Sequence, residues 1–332
     1  MISLKLFLDL VDEYIMSNLS KNAVSTPQIV LGYSVHPYLS EEYRSALKFA
    51  GQIRSLPLSG SFLIEKSIPQ SSFMDARGGY PLMCCQDWSL LRADFRELEK
   101  DLVSVVAVTD PLAGLSSREL SAIWNAGVMP YKVHFIADLT VNPLRLLPSS
   151  HLRYVKKSQK SVNIKKITRT DYLNDAWVGL YQNLVARHSI SGIAAFSEYS
   201  LRKQLEMPGV SVFCAYIDEK VVGISLWVEN GNRVYYHLAA YSDSGYQNRA
   251  SYALFAEVID HYTKERFSVI DFGAGAGTFA SENDGLSRFK KGWSTNTAQA
   301  YLCKHINNPE EYNRLSHGLK TDFFPAYRDA RQ

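Results

Sequence analysis

The stretch from Arg233 to Tyr301 decides the fold. In order it reads VYYHLAAY (234–241), SDSGYQNRAS (242–251), YALFAEVIDHYTKER (252–266), FSVIDFG (267–273), a glycine-rich segment and LSRFKKGWS (286–294). The first and fourth pieces are rich in β-branched and aromatic residues and predict strands, whereas the third has the length and periodicity of a helix. A last strand is expected near 297–305. Strands alternating with a long helix indicate an α/β or mixed α+β fold.

The predicted helix begins directly after a polar loop, and this arrangement favours an anion site. The first backbone N–H groups of a helix lack partners within the helix and carry its positive dipole end. Gln247, Arg249 and Ser251 lie at that end. We therefore expect them to bind a phosphate or carboxylate.

The glycine run from Gly273 to Gly277 is not interpreted as a dinucleotide-binding motif. That motif leads into a helix, whereas Gly277 is followed by the loop-like TFASENDG. Glycines here are expected to let the backbone pass close to a ligand or a neighbouring strand.

The length, charge and cysteine content of the chain exclude several classes of protein. The 332 residues suggest about two domains, and 46% hydrophobic residues exclude general disorder. With 36 basic and 33 acidic side chains the net charge is +3, which excludes DNA binding through bulk charge. The spacing of the four cysteines matches neither a disulfide framework nor a metal site, so we expect reduced thiols in a cytoplasmic protein without a metal.

No apolar run is long enough to predict a transmembrane segment. The N-terminal segment has acidic residues within its apolar stretch, so it predicts an amphipathic helix rather than a signal peptide.

Strands and helices alternate through the rest of the chain, so we expect two similar halves. Each is predicted to have a mixed, mostly antiparallel sheet flanked by helices, with domains at 1–145 and 146–332. The join is basic: eight lysines and arginines and no acidic residue lie between Val141 and Arg169. It is either a solvent-exposed connecting helix or a phosphate-binding surface between the domains that includes Arg153 and Lys156.

Four motifs of the deciding stretch resemble the FemAB-like acyltransferases of the GNAT superfamily. They are a Tyr-His-Leu strand (236–238), a serine at a helix start (Ser251), an Asp-Phe-Gly strand end (271–273), and Gly-Leu-x-x-Phe-Lys-x-Gly-Trp (285–293). The resemblance covers residues 130–305 well and extends weakly to the N-terminal part. It implies two tandem GNAT-like domains, the first degenerate, and transfer of an acyl group to an amine.

The resemblance also implies substrates and site residues. The donor is acyl-CoA, such as acetyl-CoA, or aminoacyl-tRNA, and the acceptor is an amine-bearing sugar or a peptidoglycan precursor. Lys290, next to Phe289, corresponds to the lysine that contacts the acyl donor. Arg153 lies on the basic helix, and the segment at His188 also resembles the family.

One segment departs from the CoA-dependent pattern. The pyrophosphate loop of those enzymes reads (Gln/Arg)-x-x-Gly-x-(Gly/Ala), whereas here Ala250 and Tyr252 occupy the glycine positions. The Tyr252 side chain is expected to crowd a pyrophosphate.

Acyl transfer develops an oxyanion and releases a proton from the amine. Lys290 is the candidate for the oxyanion. Because lysines 290 and 291 would alternate across an extended segment, one should face the site. Asp271 is a candidate base or substrate orienter, and His237 is a candidate base or a hydrogen-bonded core histidine. His188 and Trp88 are candidate substrate contacts, the latter by stacking on a sugar.

Two function classes remain. The first is a cytoplasmic acyltransferase of cell-envelope or polysaccharide biosynthesis, monomeric or dimeric. The second is a non-catalytic GNAT-shaped module that binds a nucleotide-sugar or a partner protein.

Overall fold

The computed structural model describes residues 35–170, 173–275 and 284–329. The predicted N-terminal amphipathic helix and residues 276–283 of the glycine-rich segment lie outside these ranges.

The described residues contain ten α-helices and eleven strands. The strands are β1 (Gln52–Leu56), β2 (Ser61–Ser67), β3 (Met74–Gly78), β4 (Leu102–Val108), β5 (Gly127–Asp138), β6 (Asn163–Ile167), β7 (Val210–Ile217), β8 (Lys220–Asn230), β9 (Arg233–Tyr241), β10 (Val269–Asp271) and β11 (Asn296–Ile306). The helices are α1 (Glu41–Leu47), α2 (Leu91–Arg96), α3 (Ser117–Ile123), α4 (Ser149–Ser158), α5 (Asn174–His188), α6 (Glu198–Leu205), α7 (Asp243–Gln247), α8 (Ala250–Lys264), α9 (Gly285–Lys291) and α10 (Pro309–Leu315). None of the helices in the described part of the chain is long and apolar enough to cross a membrane.

All eleven strands join in one sheet, in the order β1-β2-β3-β4-β11-β5-β10-β9-β8-β7-β6. Only β3 with β4 and β9 with β10 pair in parallel; the other neighbours are antiparallel. The mixed, mostly antiparallel fold class is therefore confirmed. Strand β11 from the C-terminal part pairs with both β4 and β5. The strands of the two halves thus share one sheet, and the boundary at residue 145 stays a prediction.

The sheet has an apolar core on each face, because side chains alternate along each strand. On face A, helices α1, α5 and α6 pack over a core that includes Leu226 of β8. On face B, helices α4, α8 and α9 pack over a core that includes Trp227 of the same strand. A third core on face B, around Phe95 and Trp124, lies under β2 to β4 and β11.

Most predicted elements are present. Strand β9 and helix α8 begin and end within two residues of the segments quoted from the sequence. Ser116 followed by Glu119 predicts a helix start, and these residues form a capping box at the start of α3. The pattern from Trp88 to Leu102 predicts one helix, and this prediction is wrong. A 3-10 turn and α2 end by Arg96, since Leu102 already enters the sheet next to Met74.

The basic join contains two elements. Helix α4 is the expected connecting helix, but the residues that follow it form β6, an edge strand paired with β7. Lysines suit an edge strand because they discourage pairing with other chains.

We expect Phe255→Ala to lower the free energy of unfolding by about 3–5 kcal/mol, because it opens a cavity where five aromatic rings meet. Phe255 is fully buried, and its ring centroid lies 4.8 to 5.7 Å from those of Tyr236, Trp227, Phe272, Phe289 and Trp293. Urea unfolding followed by circular dichroism measures the change. Leu146→Ala, at an exposed position, is the control and should change stability by less than ~0.5 kcal/mol. Similar losses in both variants would contradict this assignment of the core.

Candidate active site

The candidate site lies where β9 and β10 separate. These parallel strands pair from Arg233 and Val269 up to Tyr235 and Asp271, where β10 ends while β9 continues to Tyr241. The register of β9 against β8 shifts at the same point, since Trp227 pairs with Tyr236 and Leu226 with Leu238. His237 is therefore an extra residue in β9, a bulge of the kind that re-aims side chains.

Lys290 reaches this point from face B. It lies on α9, whose first turn is capped by the carboxylate of Asp284, and its side chain is only 5% exposed. The ammonium Nζ donates a hydrogen bond of 2.6 Å to the carbonyl of Ala274 and lies 5.4 Å from the ring centroid of Tyr236. Lys291 is exposed. The two lysines face different ways, as predicted. The segment is a helix and not the expected extended chain. Successive residues of a helix also point in different directions, so the outcome is the same.

Burial lowers the pKa of Lys290 to about 8, and the charge of Lys132 adds to this effect, whereas Asp271 and Asp284 oppose it. The ammonium form therefore prevails at neutral pH. A buried cation with a lowered pKa is unusual for a purely structural lysine and is typical of a functional site.

Gly273 lies between the side chains of Asp271 and Lys290. Its backbone is in the left-handed region (φ 74°), and its N–H donates to Oδ1 of Asp271 at 2.7 Å. A Cβ at this position would lie 3.3 Å from Nζ of Lys290. Two residues on, a Cβ on Gly275 would lie 2.0 Å from the hydroxyl of Ser287. At both glycines the backbone passes close to other residues, but the neighbours are side chains of α9 instead of the expected ligand or strand.

Asp271 is buried and forms a pair with His134 of β5. Nδ1 of His134 lies 2.8 Å from Oδ2 and 3.0 Å from Oδ1 of the carboxylate. The carboxylate thus caps the glycine loop and orients an imidazole. The sequence analysis did not identify His134.

A cationic site lies at the N-terminus of α8. Arg249, in the left-handed region, precedes the helix, and no side chain caps the first turn. Its guanidinium lies 4.6 Å from the ring centroid of Tyr154, and that of Arg153 lies 5.1 Å from the same centroid. The hydrogen bond and charge of Arg153, together with Arg249, lower the pKa of Tyr154. The local potential is therefore positive, as an anion site requires.

Tyr252 packs against aromatic side chains next to this cationic site. Its ring contacts His151, Tyr154 and Phe289, with centroid distances of 5.2, 5.0 and 5.1 Å. Phe289 also contacts Phe255 and accepts a hydrogen bond from His151 through its carbonyl. The predicted binding residue Phe289 thus anchors the helix that carries Lys290.

The other predicted binding residues are distributed differently. Gln247 is exposed just before α8, and Ser251 lies half-buried in its first turn. Lys156 is exposed on α4, the helix that packs against α8. His188 is exposed at the end of α5, and no contact among the described residues joins it to Lys290. Trp88 packs against the core around Phe95, and Asp87 caps its turn. Trp88 is only partly buried, so its predicted contact with a sugar stays a prediction.

His237 is a core histidine, and the prediction of a catalytic role is not supported. Its Nε2 donates to the amide oxygen of Gln204 at 2.8 Å, and its Nδ1 accepts from the hydroxyl of Tyr38 at 3.0 Å. Burial lowers the pKa of His237 to about 3. With both nitrogens occupied, the ring has none left to take a substrate proton.

A groove of about 1440 Å³ opens over β2 to β5 and β11. Its walls include Lys66, Arg77, Tyr131, Lys304 and Phe323. Arg328, also in the wall, pairs with Asp75 through two hydrogen bonds of 2.8 Å, whereas no described carboxylate pairs with Arg77. Asp322 and Asp329 also line the groove, but its basic side chains outnumber its acidic ones. Tyr131 brings the groove within three residues of His134 on β5.

Sequence reasoning missed His134, Tyr154 and Tyr236. The last two belong to segments that were singled out for other residues. The signal for His134 was a lone histidine in an apolar strand. Its partner Asp271 is 137 residues away, and only the sheet order shows the pair.

The chain resembles known proteins in part of its sequence and in its fold. Residues 154–291 match the family model of the acetyltransferase (GNAT) domain. Among solved structures, the chain resembles FemX, with a TM-score of 0.62 and 13% identity over 82% of this chain and 93% of that one. It also resembles the C-terminal domain of a putative lysylphosphatidylglycerol synthetase from Agrobacterium fabrum (TM-score 0.55, 13% identity, 83% and 89%). L-PGS from Bacillus licheniformis is similar as well (TM-score 0.51, 12% identity, 80% and 87%). No curated protein matches the sequence significantly.

The chain therefore contains a GNAT acetyltransferase domain and has the fold of FemX. The predicted resemblance to GNAT acyltransferases is confirmed at the level of this domain and of the fold.

We expect Lys290→Met to stabilise the protein at pH 7 by about 1–2 kcal/mol. Below the folded pKa of about 8 the buried ammonium is charged, and its desolvation opposes folding in full. Between pH 8 and 10.5 the unfolded chain holds a proton that the folded chain has released. The parent therefore becomes more stable as the pH rises, and the difference in unfolding free energy between Lys290→Met and the parent becomes smaller. Urea unfolding of both proteins at pH 7 and pH 10 measures this.

Lys291→Met, at the exposed neighbour, is the control and should change little at either pH. A Lys290→Met variant less stable than the parent at pH 7 would show that the ammonium stabilises the fold.

Proposed function

We propose that the protein transfers an acyl group from acyl-CoA to an amine of a cell-envelope or polysaccharide precursor in the cytoplasm. The observation that carries the proposal is the ammonium of Lys290, buried where β9 and β10 separate. A GNAT domain and a FemX-like fold give the class of reaction. The donor and the acceptor are inferred from the charges around the site.

Lys290 would act on the oxyanion that forms when an amine attacks the acyl carbonyl. A cation held by the carbonyl of Ala274 and screened from water stabilises developing negative charge more strongly than the neutral ground state. A non-catalytic binding module has no need of a buried ammonium, and desolvation makes it costly. This favours the enzyme over the binding module.

The cationic site at the start of α8 favours a compact anionic donor. Arg153 and Arg249 flank one ring at the open end of a 15-residue helix, which suits a pyrophosphate. Tyr252, expected to crowd this anion, packs against His151, Phe289 and the Tyr154 ring that the two arginines flank. An aminoacyl-tRNA would require a broad basic surface, and the net charge of +3 is small for that. Acyl-CoA is therefore the proposed donor, with aminoacyl-tRNA as the alternative.

The groove over β2 to β5 and β11 is the proposed acceptor site. Its volume suits a large polar molecule, and Arg77 and three lysines in its walls suit a phosphorylated one. Tyr131 and Phe323 offer aromatic faces to a sugar or a base. We therefore propose a nucleotide-linked amino sugar or a peptidoglycan precursor as the acceptor.

Lys290→Ala should lower turnover by about 10²–10³-fold, the cost of removing one oxyanion donor. Acyl transfer from acetyl-CoA to a panel of UDP-linked amino sugars measures it, and circular dichroism confirms folding. The matched control is Lys291→Ala, which removes the exposed lysine one residue away. Equal activity of the two variants would contradict the role of Lys290, and full binding with no turnover in the parent would favour the binding module.

Charge reversal at Arg249 or Arg153 should weaken CoA binding about 10- to 100-fold and leave the fold intact, since charge-assisted contacts contribute about 1.5–3 kcal/mol. Isothermal titration of CoA into Arg249→Glu, Arg153→Glu and the parent measures this. Arg92→Glu, on the exposed side of α2, makes the same charge change away from the site. If all four proteins bind CoA equally well, the surface around Arg153 and Arg249 is only a solvated surface and not a CoA site.

A further inference from the structure

The pair of His134 and Asp271 has no part in the function proposed so far. Both side chains are buried, Asp271 accepts the N–H of Gly273, and Lys290 donates to the carbonyl of the next residue, Ala274. We propose that His134 is the general base of the acyl transfer and that Asp271 is its positioning residue. This inference rests on the proposed acyl transfer and adds the group that removes the proton from the amine.

The contacts define the protonation of the imidazole. Oδ1 of Asp271 already accepts the N–H of Gly273, and both carboxylate oxygens lie within 3.0 Å of Nδ1 of His134. A carboxylate accepts hydrogen bonds, so Nδ1 carries the proton and donates it. Nε2 then holds a lone pair, and no described residue hydrogen-bonds to it. A base must present such a nitrogen.

The backbone holds the imidazole in place. Phe135 donates its N–H to the carbonyl of Gly273 at 3.2 Å and accepts from the N–H of Phe272 at 2.9 Å, so β5 is tied to the end of β10. On its other side, β5 pairs with β11, where Ala298 lies opposite His134. His134 is therefore fixed between strands on both sides, which a positioned base requires.

The other histidines lack this arrangement. Both nitrogens of His237 are occupied, His151 bonds to the carbonyl of Phe289, and His305 packs on the ring of Phe95. Across the described residues, His134 is the one histidine that bonds to a carboxylate. A histidine oriented by an acid is the arrangement found in acyl-transfer sites of unrelated folds.

The amine nitrogen attacks the acyl carbon of the thioester, a C–N bond forms, and Nε2 of His134 takes a proton from that nitrogen. The carbonyl oxygen carries the negative charge and faces the ammonium of Lys290. As the intermediate collapses, the C–S bond breaks, and the imidazolium returns its proton to the leaving thiolate. An amide and a free thiol result, and His134 is again neutral.

The test uses the full-length protein with acetyl-CoA and the UDP-linked amino sugars of the panel. His134→Gln should lower kcat by about 10²–10⁴-fold, with little change in the KM for acetyl-CoA, because proton transfer is lost while donor binding remains. Asp271→Asn should lower kcat as well, since an amide no longer selects the Nδ1–H tautomer. Added imidazole should restore part of the turnover of His134→Gly. His305→Gln, which alters another buried histidine, should stay within twofold of the parent.

A second measurement does not depend on turnover. In ¹⁵N-labelled protein, the imidazole NMR signals of His134, assigned through their absence in His134→Gln, should show a protonated Nδ1 and an unprotonated Nε2. Asp271→Asn should change that pattern. A protonated Nε2, or a folded His134→Gln with parental kcat, overturns the base assignment even though acyl transfer stands. A parent that transfers no acyl group to any acceptor overturns the proposed function, and the base assignment with it.

Discussion

The separation of β9 and β10 is the constraint on which the site depends. Two parallel strands that part after Asp271 leave backbone groups without a neighbouring strand, and the chain must satisfy them locally. Asp271 accepts the N–H of Gly273, and Lys290 donates to the carbonyl of Ala274. The left-handed backbone of Gly273 allows both contacts within four residues. The charged groups are therefore held by the same bonds that end the strand.

This arrangement places a cation in a core that is otherwise aromatic. The rings of Tyr236, Phe255, Phe289 and Trp293 pack around α9 and β9, so α9 cannot shift without disturbing its packing. Close packing of this kind resists displacement. The position of Nζ is thus set by apolar burial on one side and by a single carbonyl on the other. Pre-organised charge of this sort is what electrostatic catalysis requires.

Much of the fold could be predicted from the sequence, because its signals are local. The long helix α8, the hairpin of β7 and β8 and the cap at Ser116 follow from periodicity and capping residues. Strand β6 was missed, since its lysines resemble a solvated helix. Of the candidate site, Lys290 and Asp271 came from motifs. His134 and the role of Tyr154 depend on strand order and on the packing of α4 against α8, which no local pattern contains.

The insertion of β11 between β4 and β5 has a consequence for how the chain is made. During synthesis both of these strands emerge from the ribosome more than 150 residues before their shared partner, which spans Asn296–Ile306. Until then the N-terminal part presents two open strand edges, and such edges pair readily with other chains. Pairing β11 with β4 and β5 is a long-range strand insertion, and long-range β pairing is intrinsically slow. A ribosome that stalls before residue 296 would leave a nascent chain whose sheet cannot close.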